Sequence, residues 1–425
     1  MKNKKNETVR VKQPERRQVC MQMMSLDQML PENSLARTVC AYVERLDTSL
    51  LYRDIVVTAT QAGRTATNPD VMLSLWLLAT LEGIGSAREL ARRCERDMAY
   101  MWICGEVSVN HRCLSEFRMN SGDFLDQLLT DSVTAMIHSN VVSYETVAQD
   151  GMRVRASAGS SSFRRAPTLK KLKQEAQALV ERLKNGDDDS PGGSSGGGVK
   201  LASNERRLDR IQEALEQIGE LSERREKRRK GEGEKTRVST TDPDARNMKM
   251  ANGGYNPAFN VQFASDMTSR MIMGVDVTNA GTDSNQLLPM IEQLKSRFGR
   301  VPKKTVTDAA YATQENITQA TQNQVIPVSS IPRAKQLKKN DKDPHEQQPR
   351  DTKDYVAFRK RMLEPENIEL CKTRPSVAEF PNADCRNRGL LQFNVRGLTK
   401  AKTVALWHAI CFNLRRQITL ELELA

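Results

Sequence analysis

Apolar residues recur at helical spacing through about the first 140 positions, then switch to alternation near Tyr144. The chain therefore reads as a helical region followed by an α/β region. Asn68-Pro69-Asp70 supplies an N-cap with proline at N1 and opens an apolar helix over Val71–Leu81. Gly83 and Gly85 end it. Ser86 caps a basic amphipathic helix, SARELARRCERD, with Leu90, Ala91 and Cys94 on one side. A further helix starts near Gly122 and carries Phe124, Leu125, Leu128, Leu129 and Val133. Short helices separated by arginines fit a helix-turn-helix layout, and equally any small bundle.

The segment YETVAQDGMRVRASA alternates and reads as a strand with Asp150 near its end. Two helical stripes follow, one on Leu169, Leu172, Ala176, Leu179, Val180 and Leu183, the other on Leu208, Ile211, Leu215 and Ile218. The linker NGDDDSPGGSSGGG joins them, which predicts an antiparallel helical hairpin. The next run, RREKRRKGEGEK, reads as a solvated, mobile arm. Strand patterns return at Ala258–Ala264 and Met271–Val277, with a turn around Asp266–Ser269. A helix is expected from near Asp283 to Gly299, then a strand, KKTVTDAAY, that delivers Asp308 at its C-terminal end. A helix near 313–322, the strand VIPVS, a lysine-rich loop over 333–350 and further helices complete the pattern. The final helix, about Thr399 to Leu420, carries Val404, Trp407, Cys411 and Leu414.

At 425 residues, two domains plus an insertion are expected. The formal net charge of +12 points to a polyanionic partner. Eight cysteines without a CxxC pair and four scattered histidines fit neither a zinc ribbon nor a disulfide framework. Reduced thiols packed as small hydrophobes are expected instead. The basic N-terminus lacks an apolar core of the signal-peptide kind, and the run from Val71 to Leu81 is too short to span a bilayer. The expected location is cytoplasmic, with no membrane partner.

Acidic residues end the first and fourth strands, and Glu379 lies on a helix after the last one. If those strands are neighbours, Asp150 and Asp308 lie side by side, where they repel unless a cation neutralises them. With a helical glutamate they form an all-oxygen site suited to Mg²⁺ or Mn²⁺. Two such ions about 3.5–4 Å apart suit phosphodiester chemistry. No Ser-His-Asp arrangement, Walker A loop or GxGxxG strand-turn-helix competes. Asp242 and Asp244 read as structural or substrate-positioning, Asp276 as a strand-end residue and Asp283 as a helix cap.

These blocks resemble the DDE transposases of bacterial insertion sequences, related to retroviral integrases. QDGMRVRA matches the family's first aspartate block at Asp150. TDPDARNMKMANGGYNPAFNVQFASD matches its D-P-D-A…Y-N-x-Q stretch, and TVTDAAY its D-A-G-Y block, with Ala310 in place of glycine. RPSVAEFPNADCRNRGLLQFNVRGLTKAK holds the glutamate, Glu379, and a supporting Arg386 where the family has lysine; Cys371 stands in place of tyrosine. The helical N-terminus and the closing WHAICFNLRR, with Asn413, extend the likeness over nearly the whole chain. The resemblance implies an α/β fold, an RNase H-like mixed sheet flanked by helices, with a helical N-terminal domain and a helical-hairpin insertion. The expected divisions are a DNA-end-binding helical domain over 1–140, a catalytic domain over 141–425, and the inserted hairpin over 160–238.

It further implies that Asp150, Asp308 and Glu379 hold two Mg²⁺ or Mn²⁺ ions and that Arg374 and Arg386 position phosphate. Arg153, Arg155, Arg388, Arg396, Lys400 and Lys402 flank the site as DNA-backbone contacts or as solvated surface. The expected partners are double-stranded DNA, both terminal inverted repeats and target, and further copies of the chain in a homo-oligomer. The implied activity is metal-dependent DNA cleavage and strand transfer. A DNA-binding regulator on the same fold that has lost catalysis, and a metal nuclease that cuts without joining, stay open.

Overall fold

Helix signals in the first region become eight short helices in the computed structural model, which describes residues 23–53, 55, 66–185 and 197–424. The basic N-terminal segment and most of the Gly/Ser linker lie outside the described residues. The eight are α1 (Leu26–Met29), α2 (Leu35–Val43), α3 (Ser49–Tyr52), α4 (Pro69–Leu81), α5 (Ala87–Arg96), α6 (Met98–Cys104), α7 (His111–Asn120) and α8 (Gly122–His138). Capping chemistry sets their starts. Asn68 Oδ1 accepts the Asp70 N–H at 2.7 Å, and Ser86 Oγ accepts the Glu89 N–H at 3.4 Å. Gly83, at φ +77°, ends α4 in a left-handed turn.

The strands are β1 (Thr146–Arg155), β2 (Phe163–Arg164), β3 (Val238–Ser239), β4 (Arg246–Lys249), β5 (Tyr255–Asp266), β6 (Ile272–Thr278), β7 (Lys304–Thr307) and β8 (Ile326–Ser329). The main sheet runs β6-β5-β1-β7-β8, antiparallel across the first two junctions and parallel across the last two. That order, with helices between and after the strands, is the RNase H-like arrangement. β4 pairs with the start of β5, beside β6 on the same edge. The turn after β5 is fixed by buried Asp266, which accepts the Ser269 N–H at 2.8 Å and the Tyr144 N–H at 3.1 Å.

Between β1 and β4 the chain leaves and re-enters through the two-residue β2–β3 ladder. The excursion is α9 (Ala166–Lys184) and α10 (Gly197–Arg228). Leu169 packs with Ala214 and Ile218 at one end, and Lys184 pairs with Glu205 at 3.1 Å at the other, so the helices are antiparallel. The run expected as a mobile arm is instead the end of α10 and a turn bonded to it. Arg224–Arg228 continue α10, and Glu226 accepts N–H groups of Gly231 (2.8 Å) and Gly233 (3.0 Å), which ties the following turn back onto the helix.

Later helices are α11 (Leu287–Phe298), α12 (Gln314–Gln322), α13 (Ala334–Lys339), α14 (Lys353–Arg361), α15 (Pro365–Asn387) and α16 (Leu398–Leu424). The expected loop over 333–350 thus contains α13. α16 packs against α4, α7 and α8 on one side and against β5 and β6 on the other. One continuous core results, with Trp76 and Trp407 rings 6.5 Å apart inside it. Asn413 on α16 accepts the Ile272 N–H and donates to the Ile272 carbonyl, both at 2.8 Å. Gln293 on α11 does the same for Val275 at 2.9 Å. Two side-chain amides thereby satisfy backbone groups of the edge strand β6. The seven described cysteines are free. Among the described residues no helix is long and apolar enough to cross a membrane.

Candidate active site

β1 and β7 are parallel neighbours, and their ladder ends at the pair Ala148–Val306. Side chains two apart along a strand share a face, so Asp150 and Asp308 come next on the face already shown by Ala148 and Val306. Asp308 immediately follows the last residue of β7. Asp150 is mid-strand, a correction, because residues 151–155 still pair with β5.

α15 lies over this face, with Val377 and Ala378 packed on Ala148. It is one helix despite Pro375 and Pro381 inside it. Each proline lacks an N–H, so the carbonyls of Cys371 and Val377 lose their helical donors. Asn382, one turn beyond Glu379, donates from Nδ2 to Asp150 Oδ2 at 2.9 Å. The Arg374 guanidinium stands between two carboxylates, 3.7 Å from Asp150 Oδ1 and 3.8 Å from Glu379 Oε1. Its side chain is 13% exposed, whereas that of Glu379 is 61% exposed.

Burial pushes the Asp150 carboxyl up to about 6, and the charges of Asp308 and Asp283 act the same way; Arg374 opposes them. Asp308 Oδ1 accepts the Ala310 N–H at 2.8 Å, which fixes the carboxylate against its own turn. Ala310 is outside the left-handed region, so the conformation needs no glycine there. Among the described residues, no three His, Cys, Asp or Glu side chains are gathered closely enough to hold a metal ion. Asp150 and Asp308 are brought together on one face; Glu379 overlooks them but is turned to Arg374.

The basic residues divide. Arg153 donates to Asp283 Oδ2 at 2.9 Å and to the Gly281 carbonyl at 3.1 Å. Arg388 donates to the Leu81 carbonyl and lies 3.4 Å from Asp384, so it joins α15 to α4 and does not face outward as a DNA contact. Gly389 meets Gly83 at the same junction, where an added Cβ would come within 2.9 Å of the Gly83 oxygen. Lys402 pairs with Asp276 at 3.4 Å. Arg155, Arg396 and Lys400 are exposed, and Arg386 is half-buried, two turns beyond Glu379 on α15. Arg155 and Arg396 line an open cavity of about 480 Å³.

Sequence reasoning missed Asp283. It is no helix cap, since α11 begins at Leu287. Its Oδ1 accepts from Asn260 Nδ2 at 2.6 Å and Gln262 Nε2 at 2.9 Å. Gln262 Oε1 in turn accepts from Tyr311 Oη at 2.6 Å and Gln149 Nε2 at 3.0 Å. This buried network lies behind Asp150, on the opposite face of β1, and reaches the turn after Asp308 through Tyr311. The signal for it was alternation: Asn260 and Gln262 are polar at every second position of a buried strand.

Gly151 makes the network possible. A Cβ there would lie 2.3 Å from Gln262 Nε2 and 2.5 Å from Asp283 Oδ1. Gly151→Ala is expected to destabilise the fold by about 1–3 kcal/mol, from overpacking and broken buried hydrogen bonds. Denaturant unfolding measures it; an unchanged midpoint would show that the network has slack.

Asp242 and Asp244 both hold backbone at the start of the last helix. Asp242 Oδ1 accepts the Gly397 N–H at 3.2 Å, and Asp244 Oδ2 accepts the Leu398 N–H at 3.0 Å, so both serve the N-terminus of α16. Asp244 also accepts from Gln217 of α10 at 2.8 Å, which fastens the insertion.

Compared with known families, residues 24–120 match the one described as Transposase domain (DUF772), and residues 228–414 match the one described as Transposase DDE domain. The second match contains Asp308 and Glu379; Asp150 lies between the two. No curated protein and no solved structure matches the chain.

Proposed function

We propose that this chain, which by both matches belongs to the DDE transposases of insertion sequences, cuts DNA at the ends of its element and joins the freed 3′-hydroxyls to target DNA. The observation that carries the reading is the adjacency of β1 and β7, which sets Asp150 beside Asp308 under α15. The pair suits a divalent cation: both groups offer oxygen donors, and burial with neighbouring negative charge raises the Asp150 carboxyl to about 6, a cost that further positive charge would relieve. Asp150, Asp308 and, after a side-chain rotation away from Arg374, Glu379 would hold Mg²⁺ or Mn²⁺, as two ions. Such ions activate a water or 3′-hydroxyl and stabilise the leaving oxygen.

The chain's own residues do the rest. Asn382 orients Asp150 through its Nδ2, and the buried Oδ1 of Asn382 has no partner, an acceptor for a water or a substrate hydroxyl. Arg374 balances the carboxylates in the protein alone; released from Asp150, its planar fork can grip a phosphate oxygen. Arg386 offers a second cation along the same helix. Arg155, Arg396 and Lys400 extend positive charge away from the site towards the DNA backbone. The protein acts as a homo-oligomer that pairs the two ends of the element, in the cytoplasm at the nucleoid.

The outward Glu379 favours one second reading, a DNA-binding relative that does not cut. A labelled duplex carrying the element's own ends, with Mg²⁺ or Mn²⁺, separates the two. Cutting and joining that vanish with chelator are expected. Binding without cutting would establish the relative, and cutting without joining a nuclease.

A further inference from the structure

The inserted hairpin carries a groove of about 430 Å³ between the end of α10, the turn that follows it and β4. Phe163 and Leu221 form an apolar floor. The walls bear Arg224, Arg225, Arg228, Lys235, Arg237 and Arg246, and no carboxylate side chain lines them. The charge is only partly answered within the protein. Lys235 pairs with Glu232 at 2.9 Å and Arg224 with Glu220 at 3.7 Å, both largely exposed pairs that contribute little. Arg246 is held by Gln217 Oε1 at 2.8 Å and the Pro243 carbonyl. Among the described residues Arg225, Arg228 and Arg237 make no ion pair. Glu226, between Arg225 and Arg228 in sequence, is turned to the Gly231 and Gly233 N–H groups, while the Glu232 charge reaches Arg225 and the Asp244 and Asp242 charges reach Arg246.

Basic residues at the end of a helix complement its dipole, and that would account for Arg225 and Arg228 alone. It does not account for Arg237 and Arg246, which come from separate segments to the same groove. Convergence of like charge from three segments costs repulsion that a polyanion relieves. The groove is also attached to the catalytic sheet, since the insertion leaves from the end of β1 and returns into β4.

We infer that this groove is a binding site for the phosphate backbone of duplex DNA, a second hold outside the carboxylate site. The inference rests on the transposase reading. Contact with three phosphates contributes roughly 2.7 to the slope of log affinity against log salt, about 0.9 for each.

The test measures binding of the full chain to a labelled duplex carrying the element's ends across a salt series. The variants are Arg225→Gln/Arg228→Gln/Arg237→Gln, the corresponding triple lysine, and Lys335→Gln/Lys338→Gln/Lys339→Gln, which removes equal charge from α13. The glutamine triple is expected to lose about 2–3 from the slope while keeping the wild-type thermal midpoint. The lysine triple and the α13 control are expected to keep the slope. A glutamine triple with the wild-type slope overturns the groove. So does an unchanged slope with a changed sedimentation rate, which would make it a contact between subunits. A wild-type chain that binds no duplex at any salt would instead remove the transposase reading.

Discussion

Asp308→Asn is expected to reduce metal-dependent cleavage at least about a thousandfold, because losing about 4 kcal/mol of cation-borne stabilisation corresponds to that factor. The substitution keeps the shape. An asparagine Oδ1 can still accept the Ala310 N–H that now fixes Asp308. Asp150→Asn removes the same charge from the other strand, and its amide can still accept from Asn382. Duplex affinity should change by no more than about twofold to threefold in either variant, since backbone attraction comes from residues spread elsewhere. Cleavage at the wild-type rate by Asp308→Asn would show that the acidic pair is not the reactive centre.

Arg374→Ala has the second largest expected effect, with two separable parts. Asp150 holds a cation only when ionised, so activity is present above its pKa and is lost as pH falls through it. The Asp150 carboxyl is already raised to about 6, and Arg374 is the larger of two restraints on it, the other being the Gly151 N–H. Without the guanidinium the acidic limb of the pH–rate profile should move up, by roughly one unit for an opposite charge at this range. At pH 8, clear of that limb, the rate should still fall about 10–100-fold if a charged hydrogen bond to phosphate has gone. Arg374→Lys should restore the limb but not the full rate, because an ammonium supplies charge without a planar fork. A merely structural Arg374 would leave the limb where it is in every variant.

The parts of this site legible in sequence were those encoded locally. The strand that delivers Asp308, the N-caps Asn68 and Ser86, and the hairpin with Leu169 and Ile218 at its core all follow from patterns within a few residues. What was not legible depends on partners far along the chain. Asp283 lies just before a helix, where a cap is the ordinary reading; its actual partners Asn260 and Gln262 belong to another element. Arg388 stands near the glutamate block, where a DNA-backbone contact or solvated surface is the ordinary reading; its partner is a carbonyl at the end of α4. The resemblance implies a phosphate-positioning role for Arg374, but its position between Asp150 and Glu379 depends on how α15 crosses the sheet. Local pattern specifies the elements, and long-range contact specifies the function of a charge.

The placement of α16 bears on how the chain is made. Both the amino-terminal helices and the sheet close on this helix, yet it follows all of them in the sequence. Each can pack part of its apolar surface alone, but neither completes its share of the main core during synthesis until α16 has emerged from the ribosome. The growing polypeptide therefore passes an interval with the face meant for α16 still open, a surface that chaperones and proteases can engage.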